Sequence, residues 1–320
     1  MTRRIAHISD LHFGRIDPEI VEGLARSLSA AEPDLVVVSG DLTQRARRRE
    51  FRAARAFLDR LPAPVFVVPG NHDLPSWNLV SRFFDPYRRY RRFIHAELEP
   101  CWSDEELAIV GIKSSRRLTR DLHWAMGRIG RRQLDRALAR LEAMPRHLVR
   151  IVVVHHPLLL PEAPTAELPR HAYTGGAARA LAAFAAHGVQ LVLSGHLHLS
   201  YMRRHTPEQP PEAGSPAVTM PQGTATGPLV VQAATATSTR RREEPNAYNL
   251  ITIGEGRIEV EVHAWDGREL FATPRPIPAS VSVATTSSSA ARLWRTTGMA
   301  VSRAIDSCAR KAARWRLCGA

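Results

Sequence analysis

Five apolar segments of this chain each end in polar residues, and this repeated pattern constrains the fold more than any other feature. The clearest case is residues 65–68, which a Pro-Gly pair separates from Asn71, His72 and Asp73. Apolar, β-branched residues favour a buried strand, and Pro and Gly end a strand and turn the chain. Open α/β sheets bind ligands beyond the carboxyl ends of their strands. The three polar residues are therefore candidate ligands or catalytic groups.

The same pattern occurs four more times along the chain. Asp10 and His12 follow a strand at residues 4–9, Asp41 follows one at 34–38, His155 follows one at 150–154, and His196 and His198 follow one at 189–194. Any one of these turns could be polar for conformational reasons alone, because Asp, Asn and Gly favour turns. Five such strand ends in one chain indicate instead a single site assembled from distant segments.

The residue types at these strand ends indicate metal chemistry. Imidazoles and carboxylates together suit divalent Mn, Fe, Co or Zn. The candidate ligands are too numerous for one tetrahedral ion, and cysteine is absent from all five strand ends. We therefore expect two divalent metal ions, of a kind that the sequence does not specify.

Charge, cysteine content and hydropathy indicate the cellular compartment and the kinds of partner to expect. The 320 residues include 44 Lys and Arg against 31 Asp and Glu, for a net charge of +13, and three cysteines. A basic surface attracts nucleic acid, anionic lipid or phosphorylated substrates, although Arg-rich usage also follows from a GC-rich genome. The cysteines are too few for a disulfide framework, which favours a reducing compartment. No membrane-spanning or signal segment is evident, so we expect a cytoplasmic protein.

The rest of the chain divides into recognisable regions. Helical spacing predicts helices near residues 18–30, 45–61, 131–143 and 177–187, and alternation predicts late antiparallel strands near 229–234, 248–253 and 258–264. We expect one catalytic domain at residues 1–278, a flexible Ser/Thr/Ala linker at 279–290, and a basic amphipathic helix at 291–320. Residues 76–100 mix arginines with aromatic residues, which we interpret as an amphipathic helix that packs its rings on the domain rather than as a nucleic-acid site.

The motifs D-x-H, G-D, G-N-H-D, H-H-P and G-H-x-H, in this order, resemble those of the calcineurin-like metallophosphoesterase superfamily. The flanking sequences I-S-D-L-H-F-G and V-S-G-D-L-T are similar to those of bacterial members near the cyclic-nucleotide phosphodiesterase branch. The resemblance implies an α/β fold of the αββα type, a four-layered sandwich of two facing mixed sheets flanked by helices.

The resemblance also implies a role for each residue at the strand ends. The implied metal ligands are Asp10, His12 and His198 for one ion, Asn71, His155 and His196 for the other, and Asp41 as the bridge. His156 could replace His155, which we prefer because it directly follows the strand. His72 would face the phosphate and stabilise or protonate the leaving oxygen. Asp73 would orient the His72 ring.

Such a site implies a phosphodiesterase that cleaves a small phosphodiester, with a cyclic nucleotide as the first substrate to test, through a hydroxide held between the metals. One alternative is a membrane-associated nucleotide-lipid pyrophosphatase, similar to UDP-diacylglucosamine hydrolases. Its basic helix at 291–320 would lie on the inner, anionic face of the membrane. A second alternative is a metal-bearing scaffold or nucleic-acid-binding protein without turnover, against which His72 and the full ligand set argue. The sequence does not specify the oligomeric state.

Overall fold

The computed structural model describes residues 2–76, 78–117, 125–162, 172–206, 227–240, 244–267 and 271–276. In chain order the described elements are β1 (Arg3–Ile8), α1 (Pro18–Ala31), β2 (Leu35–Val38), α2 (Arg48–Leu58), β3 (Val65–Val67), α3 (Leu79–Phe84), α4 (Arg88–Phe93), β4 (Cys101–Ser103), β5 (Leu107–Ile112), α5 (Arg131–Glu142), β6 (Val149–Val154), α6 (Ala177–Ala186), β7 (Val189–Ser194), β8 (Tyr201–Arg204), β9 (Leu229–Gln232), β10 (Ala247–Gly254), β11 (Arg257–Trp265) and β12 (Phe271–Pro276).

The strands form two six-stranded mixed sheets. The first has the order β12-β11-β10-β1-β2-β3, and the second has the order β4-β5-β6-β7-β9-β8. Strands β1, β2 and β3 are parallel neighbours in the first sheet, as are β5, β6, β7 and β9 in the second. The carboxyl ends of parallel strands lie at one edge of a sheet. The turns after β1, β2 and β3 therefore share one edge, and the turns after β6 and β7 share another.

Alternation of side chains along the strands produces four layers. Ile5, Val37 and Ile151 belong to a buried apolar cluster made of residues from both sheets, so these faces pack against each other. The opposite face of the first sheet packs against α1 and α2, and that of the second against α5 and α6. The predicted αββα sandwich is confirmed.

Local signals set several element boundaries close to the predicted ones. Asp17 caps α1 by accepting a hydrogen bond from the Glu19 amide at 3.0 Å, and Pro18 occupies the first helical position. The short strands β4 (CWS), β8 (YMRR) and β12 (FATPRP) were not predicted, because their sequences are neither apolar runs nor a clear alternation of polar and apolar residues. The predicted linker at 279–290 and helix at 291–320 lie outside the described residues.

Two structural features concern the expected cellular setting. Cys101 in β4 takes part in a disulfide bond, so the low cysteine count does not by itself indicate a reducing compartment. In the part of the chain that the structure describes, no helix has both the length and the apolar character needed to cross a bilayer.

Candidate metal centre

The polar residues that follow five separate strands meet between the two sheets. The first sheet contributes Asp10, His12, Asp41 and Asn71, and the second contributes His155, His196 and His198; all seven side chains are buried. Candidate ligand atoms lie within 4.8 Å of one another in the groups Asp10–His12–His198, Asp10–Asp41–His155, His12–Asp41–His72 and His155–His156–His196. Side chains that are up to 188 positions apart in the sequence are thus brought together.

Backbone geometry distinguishes most of these residues from ordinary turn residues. Five of the seven have a left-handed backbone, namely Asp10 (φ 53°), His12 (φ 50°), Asp41 (φ 53°), His196 (φ 79°) and His198 (φ 59°). A residue other than glycine rarely adopts this conformation, which costs about 1–3 kcal/mol. Hydrogen bonds between the turns hold the conformation: the Asp10 amide donates to Gly40 O at 3.1 Å and the His12 amide to Asp41 O at 2.9 Å. Strain concentrated in this way is typical of functional sites.

One oxygen of Asp41 faces imidazoles from both sheets. Its Oδ2 lies 3.3 Å from His155 Nε2 and 3.8 Å from His12 Nε2. Its Oδ1 accepts a hydrogen bond from the His72 amide at 2.8 Å, which fixes the orientation of the carboxylate. A carboxylate placed in this way between two sets of histidines is suited to bridge two cations.

The two carboxylate oxygens of Asp10 also have different surroundings. Its Oδ2 accepts hydrogen bonds from Ser9 Oγ at 2.7 Å and from the His196 amide at 2.8 Å, which ties the two sheets together. Its Oδ1 is buried without a hydrogen bond, although His198 Nε2 lies 3.2 Å away and His12 Nε2 3.6 Å away. A buried carboxylate oxygen in this situation fits a bound cation.

The tautomers of two histidines follow from their outer hydrogen bonds. His155 Nδ1 donates to Ser39 O at 2.8 Å, and His198 Nδ1 donates to Arg240 O at 2.8 Å. In the neutral rings each Nε2 then carries a lone pair. His198 Nε2 lies only 3.2 Å from His12 Nε2, and His155 Nε2 lies 3.1 Å from Asn71 Oδ1. Metal-bound histidines have this arrangement, in which the distal N–H donates to a carbonyl and Nε2 binds the ion.

The hydrogen bonds of the ring nitrogens also distinguish His155 from His156. His156 Nε2 donates to Ala125 O at 2.9 Å, and its Nδ1 lies 2.7 Å from Ser114 Oγ. Both ring nitrogens are thus occupied by protein partners, although the ring lies 4.4 Å from that of His196. The geometry therefore favours His155 as the ligand and His156 as a residue that packs behind it.

The electrostatics of the centre favour positive charge. Burial alone would lower the pKa of His155, but the buried Asp41 carboxylate outweighs this effect and raises the pKa to about 9. Burial would likewise raise the pKa of Asp41, but His155 and His72 together hold it well below its ordinary value. Burial lowers the pKa of His12, and Asp10 offsets only part of that decrease. Two buried carboxylates thus stay ionised beside imidazoles, as a cation site requires.

The expectation that Asp73 orients the His72 ring is corrected by the hydrogen bonds. The Asp73 carboxylate accepts from the amides of Gly70 at 2.9 Å and Thr43 at 3.0 Å, and from Thr43 Oγ1 at 3.0 Å. Burial and the nearby Asp41 carboxylate raise the pKa of Asp73 to about 7. Asp73 therefore fixes the turn after β3 against the turn after β2. The physical reason is that a buried carboxylate near several unpaired amides binds them first.

Gln44 holds the His72 ring instead. His72 Nδ1 donates to Gln44 O at 2.8 Å, and the ring meets that of His12 edge-on at 4.8 Å between centroids. Arg240 Nη1 lies 3.4 Å from His72 Nε2. Neither Gln44 nor Arg240 was predicted as a site residue. Gln44 follows the G-D-L-T motif and could have been considered, whereas Arg240 lies 168 positions from His72 in the sequence and has no motif around it.

Glycine allows the two sheets to approach at the metal centre. A Cβ atom at Gly195 would overlap Ser9 Oγ and would lie 2.6 Å from Asp10 Oδ2. We expect Gly195→Ala to lower the free energy of unfolding by about 1–3 kcal/mol, the usual cost of overpacking, and to weaken metal binding because Asp10 must move. Chemical denaturation and elemental analysis would measure both effects.

Gly130→Ala is the matched control for this substitution, because the nearest atom to its added Cβ is Arg116 Nη2 at 3.9 Å. We expect this variant to keep the metal content of the wild type and to lose no more than about 1 kcal/mol of stability, because Gly130 is the N-cap residue of α5. Equal metal content and stability in Gly195→Ala and Gly130→Ala would contradict the steric explanation.

Several sequence relatives and many solved structures resemble this chain. It is 40% identical over 82 residues to a glycerophosphodiester phosphodiesterase of Enterobacter lignolyticus (strain SCF1), covering 22% of this chain and 29% of that protein. It is 37% identical over 82 residues to a UDP-2,3-diacylglucosamine pyrophosphatase of Chlamydia muridarum (strain MoPn / Nigg), covering 25% and 24%. It is 33% identical over 86 residues to a probable cyclic nucleotide phosphodiesterase of Synechococcus sp. (strain ATCC 27144 / PCC 6301 / SAUG 1402/1), covering 24% and 33%.

The aligned segments thus span about a third or less of each relative. Among solved structures, a purple acid phosphatase from seeds of yellow lupin (Lupinus luteus) superposes with a TM-score of 0.58 at 13% identity, covering 82% of this chain and 52% of that one. This similarity supports the fold. A model of the calcineurin-like phosphoesterase family matches residues 3–200, which is more than half of the chain. The chain therefore belongs to the calcineurin-like phosphoesterase family.

Proposed function

We propose that this chain is a two-metal phosphodiesterase that hydrolyses a small phosphodiester. The observation that carries the proposal is the position of Asp41 Oδ2, 3.3 Å from His155 Nε2 and 3.8 Å from His12 Nε2. A single carboxylate oxygen that faces histidines from both sheets is what a shared ligand between two ions requires. One isolated ion would leave one of the two histidine sets without a role.

The buried donors divide into two sets of mixed nitrogen and oxygen ligands. Asp10, His12 and His198 would hold one ion, Asn71, His155 and His196 would hold the other, and Asp41 would belong to both. This donor set contains no thiolate, which suits Mn, Fe, Co or Zn in the divalent state. When bound, a pair of such ions polarises phosphoryl oxygens and makes a coordinated water acidic enough to supply the nucleophile at neutral pH.

The protein's own residues complete the site around a phosphate. Ser39 O and Arg240 O keep His155 and His198 in the tautomer that presents Nε2. His72 is half-buried, beside the ligand His12, and Gln44 O fixes its ring. In the protonated ring, Nε2–H would donate to the leaving oxygen. The exposed guanidinium of Arg240, next to His72 Nε2, would neutralise charge on the phosphate.

The relatives support a diester rather than a monoester as the substrate. Two of them carry phosphodiesterase names, for glycerophosphodiesters and for cyclic nucleotides. A cyclic nucleotide therefore stays the first substrate to test. The alternative, a nucleotide-lipid pyrophosphate, is favoured by the similarity to a UDP-2,3-diacylglucosamine pyrophosphatase. A non-catalytic metal-bearing or nucleic-acid-binding role is less well supported, because His72 would then have no function beside the ligands.

A substrate panel with manganese-loaded protein tests the proposal. We expect bis-p-nitrophenyl phosphate to be hydrolysed at a higher kcat/KM than p-nitrophenyl phosphate. We also expect EDTA to abolish the activity and added Mn²⁺ to restore it, because the ions supply the nucleophile. Cyclic AMP and UDP-2,3-diacylglucosamine then distinguish the two substrate classes. A preference for the monoester would contradict a phosphodiesterase, and no turnover by fully metal-loaded protein would contradict an enzyme.

A further inference from the structure

Large apolar side chains are concentrated on the exposed side of α3. Among the residues that the structure describes, four large apolar side chains are exposed, and three of them lie on this helix: Val80 (69% exposed), Phe83 (47%) and Phe84 (85%). The fourth, Tyr173, lies elsewhere in the sequence. Isolated exposed apolar residues are common on protein surfaces, but a cluster of them marks an interaction site. We call Val80, Phe83 and Phe84 the α3 apolar cluster.

A buried arginine holds α3 with this cluster facing outward. Arg82 is only 2% exposed, and its guanidinium donates to the carbonyl oxygens of Pro75 at 3.2 Å, Arg116 at 3.4 Å and Arg117 at 2.8 Å. Asn78 also caps the helix by accepting from the Ser81 amide at 2.8 Å. Turning the helix to bury the phenylalanines would break these hydrogen bonds and expose the surfaces that Arg82 covers. On this helix an arginine is therefore buried while the phenylalanines are exposed, and the hydrogen bonds of Arg82 hold the helix in that orientation.

Cations surround the α3 apolar cluster. A cavity of about 270 Å³ separates α3 from α4 and the start of α2, and Val80, Phe84, Arg48, Arg88 and Arg92 all line it. The three arginines are exposed. Among the described residues that line this cavity, Asp85 alone is acidic, and it is paired with Arg91 at 2.8 Å. Aromatic and aliphatic side chains next to exposed positive charge match the chemistry of an anionic lipid surface.

We propose that the α3 apolar cluster and Arg48, Arg88 and Arg92 dock this protein on an anionic lipid bilayer. The phenylalanines would enter the interfacial layer while the arginines contact lipid phosphates. The basic segment 291–320 is a less suitable occupant, because its seven Lys and Arg residues against one acidic residue would be repelled by these arginines. A protein partner is the remaining alternative, and it becomes an outcome of the test.

Docking through α3 would affect which substrates reach the metal centre. Only six residues separate His72 from the start of α3, so the mouth of the metal centre lies close in the chain to the docking helix. This part of the inference rests on the proposed function. Docking would bring the site near phosphodiesters presented at a membrane surface, such as one that carries an acyl chain.

Vesicle sedimentation with the full-length protein tests the docking surface. We expect binding to vesicles of phosphatidylcholine with about one third phosphatidylglycerol, and at least tenfold weaker binding to phosphatidylcholine alone, because the arginines need anionic headgroups. Phe83→Ser/Phe84→Ser should weaken binding to the anionic vesicles at least tenfold, because the apolar contact is lost. Arg88→Glu/Arg92→Glu should remove the preference for anionic lipid.

Matched controls separate this surface from a general effect of charge or hydrophobicity. Tyr173→Ser removes the other exposed large apolar side chain, and Arg26→Glu/Arg257→Glu reverses two exposed arginines on α1 and β11. We expect these variants to bind the anionic vesicles as the wild type does. Wild-type binding by Phe83→Ser/Phe84→Ser would overturn the proposal. So would an absence of vesicle binding by the wild type, which would leave a protein partner as the occupant of the cluster.

Turnover of a soluble substrate keeps the two proposals apart. All the docking variants should hydrolyse bis-p-nitrophenyl phosphate at the wild-type rate, because none of the changed residues touches the metal centre. Hydrolysis without vesicle binding would contradict the docking surface and leave the phosphodiesterase intact. Vesicle binding without hydrolysis would contradict the phosphodiesterase and leave the docking surface intact.

Discussion

Asp41→Asn should remove at least one of the two metal ions and lower kcat/KM by at least about 10³-fold, because several kcal/mol of transition-state stabilisation depend on the ions. The substitution keeps the shape of the side chain but removes the charge that holds both ligand sets together. The amide oxygen can still accept from the His72 amide, as Asp41 Oδ1 does at 2.8 Å. The NH₂ group would then point at His12 and His155, where it repels a cation.

Elemental analysis and steady-state kinetics on the same preparation would measure this result. Asp59→Asn is the matched control, because the Asp59 side chain is 60% exposed and pairs with Arg55 on the surface of α2. We expect it to retain both ions and full activity. Circular dichroism would confirm that both variants are folded. Full metal occupancy in folded Asp41→Asn would show that Asp41 does not bridge two ions, and the proposed mechanism would then be wrong.

The strand ends could be predicted from sequence because their signals are local. Each strand is a largely apolar run that is followed within a few positions by Asp, Asn or His, and a glycine comes first after β2, β3 and β7. The predicted and observed positions of β2, β6 and β7 therefore differ by little. That the ends meet follows from parallel pairing, since neighbouring parallel strands end at one edge. Asp10 and His196 lie on different sheets, so they meet only because the two sheets face each other. Only the family resemblance implied that arrangement.

The partners of the polar residues could not be predicted in the same way. Asp73 was assigned to His72 because the family resemblance implied it and a carboxylate commonly orients an imidazole, yet it binds the amides of Gly70 and Thr43. Adjacent side chains in a turn often point in different directions, and the choice depends on which amides the fold leaves unpaired. Arg240 reaches His72 from a distant segment, so no local pattern could indicate it.

The region of residues 76–100 shows a further limit of sequence patterns. An amphipathic helix that packs its aromatic rings on the domain was predicted, and Tyr87 and Tyr90 are indeed buried. Phe83 and Phe84 are exposed instead, and Arg82 takes the buried position. Hydrophobicity alone places phenylalanine inside and arginine outside. It takes no account of the three carbonyl oxygens that the fold offers to the guanidinium.

His72→Ala should lower turnover by about 10²–10⁴-fold, the usual contribution of acid–base catalysis, while both metal ions remain bound. Retention of metal is expected because the His72 ring bonds Gln44 O and lies beside Arg240, whereas the proposed ligands lie deeper. Elemental analysis against the wild type measures occupancy. Loss of both ions in this variant would show that His72 is a ligand.

The size of this defect should depend on the leaving group, which distinguishes proton donation from simple binding of the phosphate. An alkoxide needs a proton as it departs, whereas p-nitrophenolate is stable without one. We therefore expect the full loss for a diester with an alkoxide leaving group, and a loss of about tenfold or less for bis-p-nitrophenyl phosphate. Equal losses for both substrates would indicate that His72 stabilises charge on the phosphoryl group, a role that it would then share with Arg240. Arg240→Ala supplies the comparison: it removes charge but no transferable proton, so its effect should be the same for both leaving groups.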